Sequence, residues 1–323
     1  MNTLWTLYGA VLPVFGLMTA GFALRRLRWL TAEADQSLLR ICVSVLLPAL
    51  IFESVLGNAA LRQPANLVLP PLVAVVTVLA GFALAGLAAK FAGFATTGER
   101  RTFTLTTGLH NYGYIPLPLC IQLFDPGTVG VLLVHNVGCE VVLWTAGVAV
   151  LSGGGGRGGW KRILNAPLLA LVAALVLNGV GQFISPTGAP LQGCHMVMTG
   201  VHWLGQSAIP LALLMIGAIV ADHLPEMRGG RFARVVALAV AVRLLAMPVL
   251  FVLLARYLPC SIELKRVIIV EGAMSSAVLP IALTKHYGGD PRTALQVVLG
   301  TSLAGLATIP LWIRFGGHFA GLW

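Results

Sequence analysis

Residues 106–118 read Thr106-Thr107-Gly108-Leu109-His110-Asn111-Tyr112-Gly113-Tyr114-Ile115-Pro116-Leu117-Pro118. They sit inside an apolar run at about 102–123, long enough to cross a bilayer, which takes about 20 residues. Pro116 and Pro118 each remove a backbone N–H and crowd the preceding turn. Gly108 and Gly113 accept dihedrals that other residues avoid. The helix is therefore predicted to break in mid-span. Unwound backbone at that depth survives only when it is buried in protein or lines a watery cavity.

A second stretch repeats this plan. Gly272-Ala273-Met274-Ser275-Ser276-Ala277-Val278-Leu279-Pro280 has its Gly and Pro eight apart, as do Gly108 and Pro116. Each stretch is followed by an Asp-Pro pair, Asp125-Pro126 and Asp290-Pro291. Leu47-Pro48-Ala49-Leu50 is echoed by Ile209-Pro210-Leu211-Ala212, and Pro13 by Pro167. The order of these matches predicts an internal repeat.

Composition sets the environment. Of 323 residues, 58% are hydrophobic and 10% charged, against roughly 25% charged in a soluble domain. That excludes a soluble enzyme, a secreted scaffold, a disordered chain and a nucleic-acid binder. The medium is a lipid bilayer. The net charge of +10 comes from 21 Lys and Arg against 11 Asp and Glu. The basic residues cluster between apolar runs, as at Arg25-Arg26-Leu27-Arg28, Arg100-Arg101 and Lys161-Arg162. This is the pattern of loops that orient helices in a bilayer, and no nucleic-acid partner is expected.

Ten spans are expected, at about 4–24, 37–56, 67–91, 102–123, 128–151, 165–184, 196–221, 232–256, 265–287 and 293–315. The first has its basic cluster after it, the reverse of a cleaved signal peptide, and reads as a retained helix. The runs are too long for barrel strands. With the N-terminus outside, fifteen basic residues fall on the cytoplasmic side. Five fall opposite: Arg62, Arg256, Lys265, Arg266 and Arg314. The expectation is a multi-pass protein of the cell inner (plasma) membrane with both termini outside.

A Gly-rich cytoplasmic linker at 152–164 separates five spans at 1–151 from five at 165–323. An odd number of spans forces the second repeat to enter from the opposite face, so the repeats are inverted, as in alternating-access transporters. Interrupted spans at matching repeat positions mark the candidate binding site. Exposed helix N-termini there suit an anion. The first break offers His110, Asn111, Tyr112, Gly113, Pro116 and Pro118. The second offers Ser275, Ser276 and Pro280.

Asn111-Tyr112-Gly113-Tyr114-Ile115-Pro116-Leu117-Pro118-Leu119 resembles the Asn-x-Gly-x-x-x-x-Pro-Leu signature of the auxin efflux carrier family of plant PIN-type carriers and bacterial permeases. Leu47-Pro48-Ala49-Leu50-Ile51-Phe52, Leu143-Trp144-Thr145-Ala146-Gly147 and Asn165-Ala166-Pro167 resemble its motifs in spans two, five and six. The resemblance covers essentially the whole chain. It implies an all-α membrane fold of ten helices in two inverted five-helix repeats, with crossed, broken helices 4 and 9. It also implies a scaffold (helices 1, 2, 6, 7), a moving transport domain (helices 3–5, 8–10), a homodimer and small organic anions as substrates. Asn111 matches the crossover asparagine that contacts the substrate carboxylate.

Other polar residues inside spans are costly there and point to function. Asn136, Glu140 and Trp144 are four apart on one helix face. Glu140 either binds a coupling proton or pairs with Arg243. Arg243 and Glu271 belong either to the substrate or proton site or to a structural ion pair. Glu53, near a span end, reads as interfacial. His135, His202 and Gln206 carry weaker signals. No His/Cys spacing resembles a metal site, no cofactor is expected, and no hydrolase or ATP-binding motif occurs. The five cysteines are too scattered for a disulfide framework, although Cys194 and Cys260 fall on one side. The reading is a secondary transporter of a small organic anion and not an enzyme. The alternative is a non-transporting ligand sensor on the same fold.

Overall fold

Each apolar run folds as helix, because backbone polar groups facing lipid must be satisfied within the segment. A computed structural model describes residues 4–154, 162–184, 195–224 and 232–322. In chain order the helices are α1 (Leu4–Arg26), α2 (Ala32–Val55), α3 (Ala65–Phe91), α4 (Thr97–Gly108), α5 (Pro116–Leu123) and α6 (Pro126–Ser152). They continue with α7 (Ala166–Ile184), α8 (His195–His223), α9 (Phe232–Tyr257), α10 (Ile262–Ala273), α11 (Leu279–Tyr287) and α12 (Pro291–Phe319). Most of the linker, with Arg157 and Lys161, lies outside the described residues, as do Cys194, Arg228 and Arg231.

Among the described residues seven helices are long and apolar enough to cross a membrane: α1, α2, α3, α6, α8, α9 and α12. Ten were expected. The difference arises largely at 102–123 and 265–287, where two short helices stand in place of one. α4 and α10 have 12 residues each, α5 has 8 and α11 has 9. At about 1.5 Å per residue none of these alone covers the roughly 30 Å hydrocarbon core.

Helix starts obey local capping chemistry, and the two halves use it alike. Thr96 caps α4 in a capping box with Glu99. Ser261 caps α10 by accepting from the Leu264 amide. Asp125 caps α6 through the Thr128 amide at 3.0 Å, and Asp290 caps α12 through the Thr293 amide at 2.9 Å. The caps are also tied across the halves. Arg266 of α10 pairs with Asp125. The Asp290 amide donates to Thr102 of α4 at 2.9 Å.

The densest packing falls into two groups, which α1 joins by also packing on α12. α1 lies along α8, α8 packs on α2, and α2 on α7. The second group joins α3 to α4 and α6, α9 to α10 and α12, and α4 and α10 to α12. In the first group α1 and α8 approach backbone to backbone. A Cβ on Gly21 would sit 1.9 Å from the Leu214 carbonyl oxygen, and one on Gly217 1.8 Å from that of Met18. A rigid carbonyl cannot yield, so Gly217→Ala must push the helices apart. The expected cost is about 1–3 kcal/mol, read as a lowered Tm of the purified protein. Gly16→Ala, with nothing within 4 Å of the added methyl, serves as control and should leave Tm unchanged. Equal Tm for the two variants would refute the close approach.

Candidate functional site

α4 ends because Leu109 turns to extended backbone (φ −92, ψ 116), and α10 ends likewise at Met274 (φ −70, ψ 146). α5 and α11 restart at Pro116 and beside Pro280, in the first turn, where the missing N–H has no intrahelical partner to lose. Between those ends the two interruptions meet. The Asn111 amide donates to the Ser275 carbonyl at 2.8 Å, and the Ala277 amide to the Leu109 carbonyl at 3.0 Å. His110 and Ser276 thus form an antiparallel bridge. The Ser276 amide is taken by Thr301 Oγ1 of α12 at 3.2 Å, and Ser275 Oγ lies 3.4 Å from Ser302 Oγ.

Asn111 is 3% exposed. Its Oδ1 accepts from the Tyr114 amide at 3.1 Å and the Gly113 amide at 3.4 Å. The oxygen is therefore committed to the chain's own backbone, as in an Asx turn. Only the carboxamide NH2 remains to serve a ligand.

Two side-chain clusters flank the bridge. In the first, Glu140 of α6 accepts from Tyr112 Oη at 2.8 Å and from Trp144 Nε1 at 2.6 Å. This fixes the first interruption to α6. In the second, His110 Nε2 lies 3.2 Å from Glu271 Oε2, and both side chains are fully buried. Arg243 interacts electrostatically with Glu271. It donates to the Gly272 carbonyl at 3.3 Å and lies over the Phe251 ring. Glu140 and Arg243 thus belong to different clusters. Glu53 is remote from both, pairing with His202 Nδ1 at 2.5 Å between α2 and α8, with Gln206 on the other ring nitrogen.

Sequence reading named the residues of both interruptions, but not Thr301 or Ser302. These are ordinary small polar residues of a long helix, and no local spacing marks them. Trp144 and Glu140 are legible as i, i+4 neighbours. Tyr112 completes their cluster from a non-helical segment, which periodicity does not reach.

A family model described as "Membrane transport protein" matches residues 6–158 and 156–313. The chain belongs to the membrane transport protein family. A relative from Methanothermobacter thermautotrophicus, named an uncharacterized transporter, is 26% identical over 314 residues, covering 94% of this chain and 96% of that one. The resemblance to auxin efflux carriers agrees with this membership. Family and apolar helices together make it a multi-pass membrane transport protein rather than an enzyme.

In this transporter the anchoring of the first interruption by Glu140 is directly testable. Tyr112→Phe or Trp144→Phe leaves one carboxylate oxygen without its donor, at a cost of about 1–3 kcal/mol. Thermal unfolding should show a lowered Tm for each single variant. A wild-type Tm in both would show that the carboxylate does not hold the segment.

Proposed function

We propose that this transporter carries a small organic anion across the cell inner (plasma) membrane by elevator-type alternating access. The substrate carboxylate binds where the two interruptions meet. The observation that carries this is the state of Asn111. Its oxygen is taken by the Gly113 and Tyr114 amides, so the side chain offers donors only, beside the positive N-terminal end of α5. Arg243, donating to Gly272, offsets the negative C-terminal end of α10.

The architecture proposed is ten spans, with α4 and α5 as broken helix 4 and α10 and α11 as broken helix 9. Residues 1–151 and 165–323 form inverted repeats around the linker at 152–164. The matched caps and the reciprocal ties of α10 to Asp125 and α4 to Asp290 support it. So does the division into two packing groups, in which α1, α2, α7 and α8 form the scaffold and the rest the moving body. Only 28% of the apolar windows of α1 and α2 is buried within one chain, which leaves surface for lipid and for a homodimer through the scaffold. By the basic-residue asymmetry both termini lie outside.

In this proposal Asn111 contacts the carboxylate, and Ser275 and Ser276 border the site with the Ser276 amide held by Thr301. His110, Tyr112 and Gly113 shape it, while Pro116, Pro118 and Pro280 keep the interruptions open. Glu140 anchors, and Asn136 lies on the same helix face. Asn111→Asp keeps the oxygen that the backbone needs but removes the donors and adds a repelling charge. Purified Asn111→Asp, checked for a monodisperse folded profile, should lose about tenfold or more in carboxylate affinity, the equivalent of about 1.4 kcal/mol. Asn111→Ala should lose both affinity and Tm. Wild-type affinity in Asn111→Asp would overturn the assignment. In proteoliposomes wild type should exchange labelled for unlabelled carboxylate. Binding without exchange would make the protein a sensor instead.

A further inference from the structure

Behind the bridge, four potential metal ligands converge from three segments. His135 and Cys139 stand one turn apart on α6. His110 lies in the first interruption, and Glu271 in the last turn of α10. Cys139 Sγ is 3.7 Å from His110 Nε2 and 4.0 Å from His135 Nδ1. Ligand atoms of these three residues lie within 4.8 Å of one another. Glu271 Oε2 is 3.2 Å from His110 Nε2.

We propose that His110, His135, Cys139 and Glu271 form a binding site for a borderline-soft divalent cation, with zinc as the ion that fits best. A tetrahedral zinc with Zn–S about 2.3 Å and Zn–N about 2.0–2.1 Å sets N to S near 3.6 Å and N to N or O near 3.3 Å. The sulfur and carboxylate separations meet these values to within a few tenths of an ångström. His110, His135 and Cys139 form the mutually close group, and Glu271 adjoins it through His110.

The polar accounting favours an ion. Both Glu271 oxygens are buried without a hydrogen bond. Although His110 Nε2 and Glu271 Oε2 are close, they do not meet as donor and acceptor. A buried carboxylate left in this state is costly, and a bound cation removes that cost. Thiolate and carboxylate neutralise a divalent ion. Arg243, the cation nearby, donates through Nη2 to Gly272 and lies over the Phe251 face; its Nε and Nη1 have no partner, and it makes no hydrogen bond to Glu271. The thiol proton leaves to solvent as the ion binds.

All four side chains are fully buried, so the ion enters as the helices assemble. Its role is to fasten the first interruption to α6 and α10. It is independent of which substrate the transporter carries. The test is the metal content of full-length protein purified from cells grown with added zinc. Wild type should carry one zinc per chain. Cys139→Ser and His135→Ala, each checked for a monodisperse folded profile, should carry several-fold less. Cells grown with cobalt in place of zinc should yield wild-type protein with a thiolate-to-metal charge-transfer band that Cys139→Ser lacks. Wild-type metal content no higher than that of folded Cys139→Ser, with no such band, would overturn the site.

Discussion

Backbone that leaves a helix among apolar neighbours must find new hydrogen-bond partners, because water is not there to supply them. In this chain the two interruptions find partners in each other. Asn111 and Ala277 donate across to Ser275 and Leu109. Everything near the centre of the fold follows from that exchange. The ends of α4, α5, α10 and α11 are brought to one place. Thr301 and Ser302 of α12 are recruited to the remaining polar groups, and Glu140 holds Tyr112 from the other side. Removing either interruption would strand the other.

That the sequence breaks at these two places is legible because proline and glycine act locally. Pro116, Pro118 and Pro280 each remove an amide and favour a break, and a glycine eight residues before Pro116 and Pro280 recurs between the halves; proline alone does not suffice, since Pro70, Pro71 and Pro310 lie inside continuous helices. Caps are legible for the same reason: Thr96, Ser261, Asp125 and Asp290 each meet an amide three residues on. What the sequence hides is tertiary. Nothing in the spacing says that residue 111 bonds to residue 275. Nor does it say that the Asn111 oxygen is spent on its own backbone. Of the two roles left open for Glu140, proton carrier or partner of Arg243, the second has no contact behind it. Its partners are two neutral donors, one of them in a non-helical stretch. Likewise the ligand set at His110, His135, Cys139 and Glu271 shows only one local pair, His135 and Cys139, which matches no metal motif.

The number of spans teaches a related lesson. Apolar length predicts ten crossings, and among the described residues seven helices meet the length that one unbroken crossing needs. The runs at 102–123 and 265–287 keep the apolar composition of a span while giving up its continuity. Composition reports the environment of a segment, and prolines report its geometry. In a transport protein the two are expected to diverge at the site, because a substrate needs polar backbone where lipid forbids it. On the proposed reading, the carboxylate meets the donors that the crossing leaves over, and the two packing groups provide a fixed body and a moving one.

The mutual pairing of the interruptions is the central claim, and site-resolved amide hydrogen exchange of the protein in lipid nanodiscs tests it most directly. Asn111 and Ala277 lie outside any helix, yet their amides are held by carbonyls of the opposite interruption. They should exchange as slowly as the flanking turns of α4 and α10, since protection follows the free energy needed to open the bond. Exchange at the rate of an open loop at both positions would contradict the account.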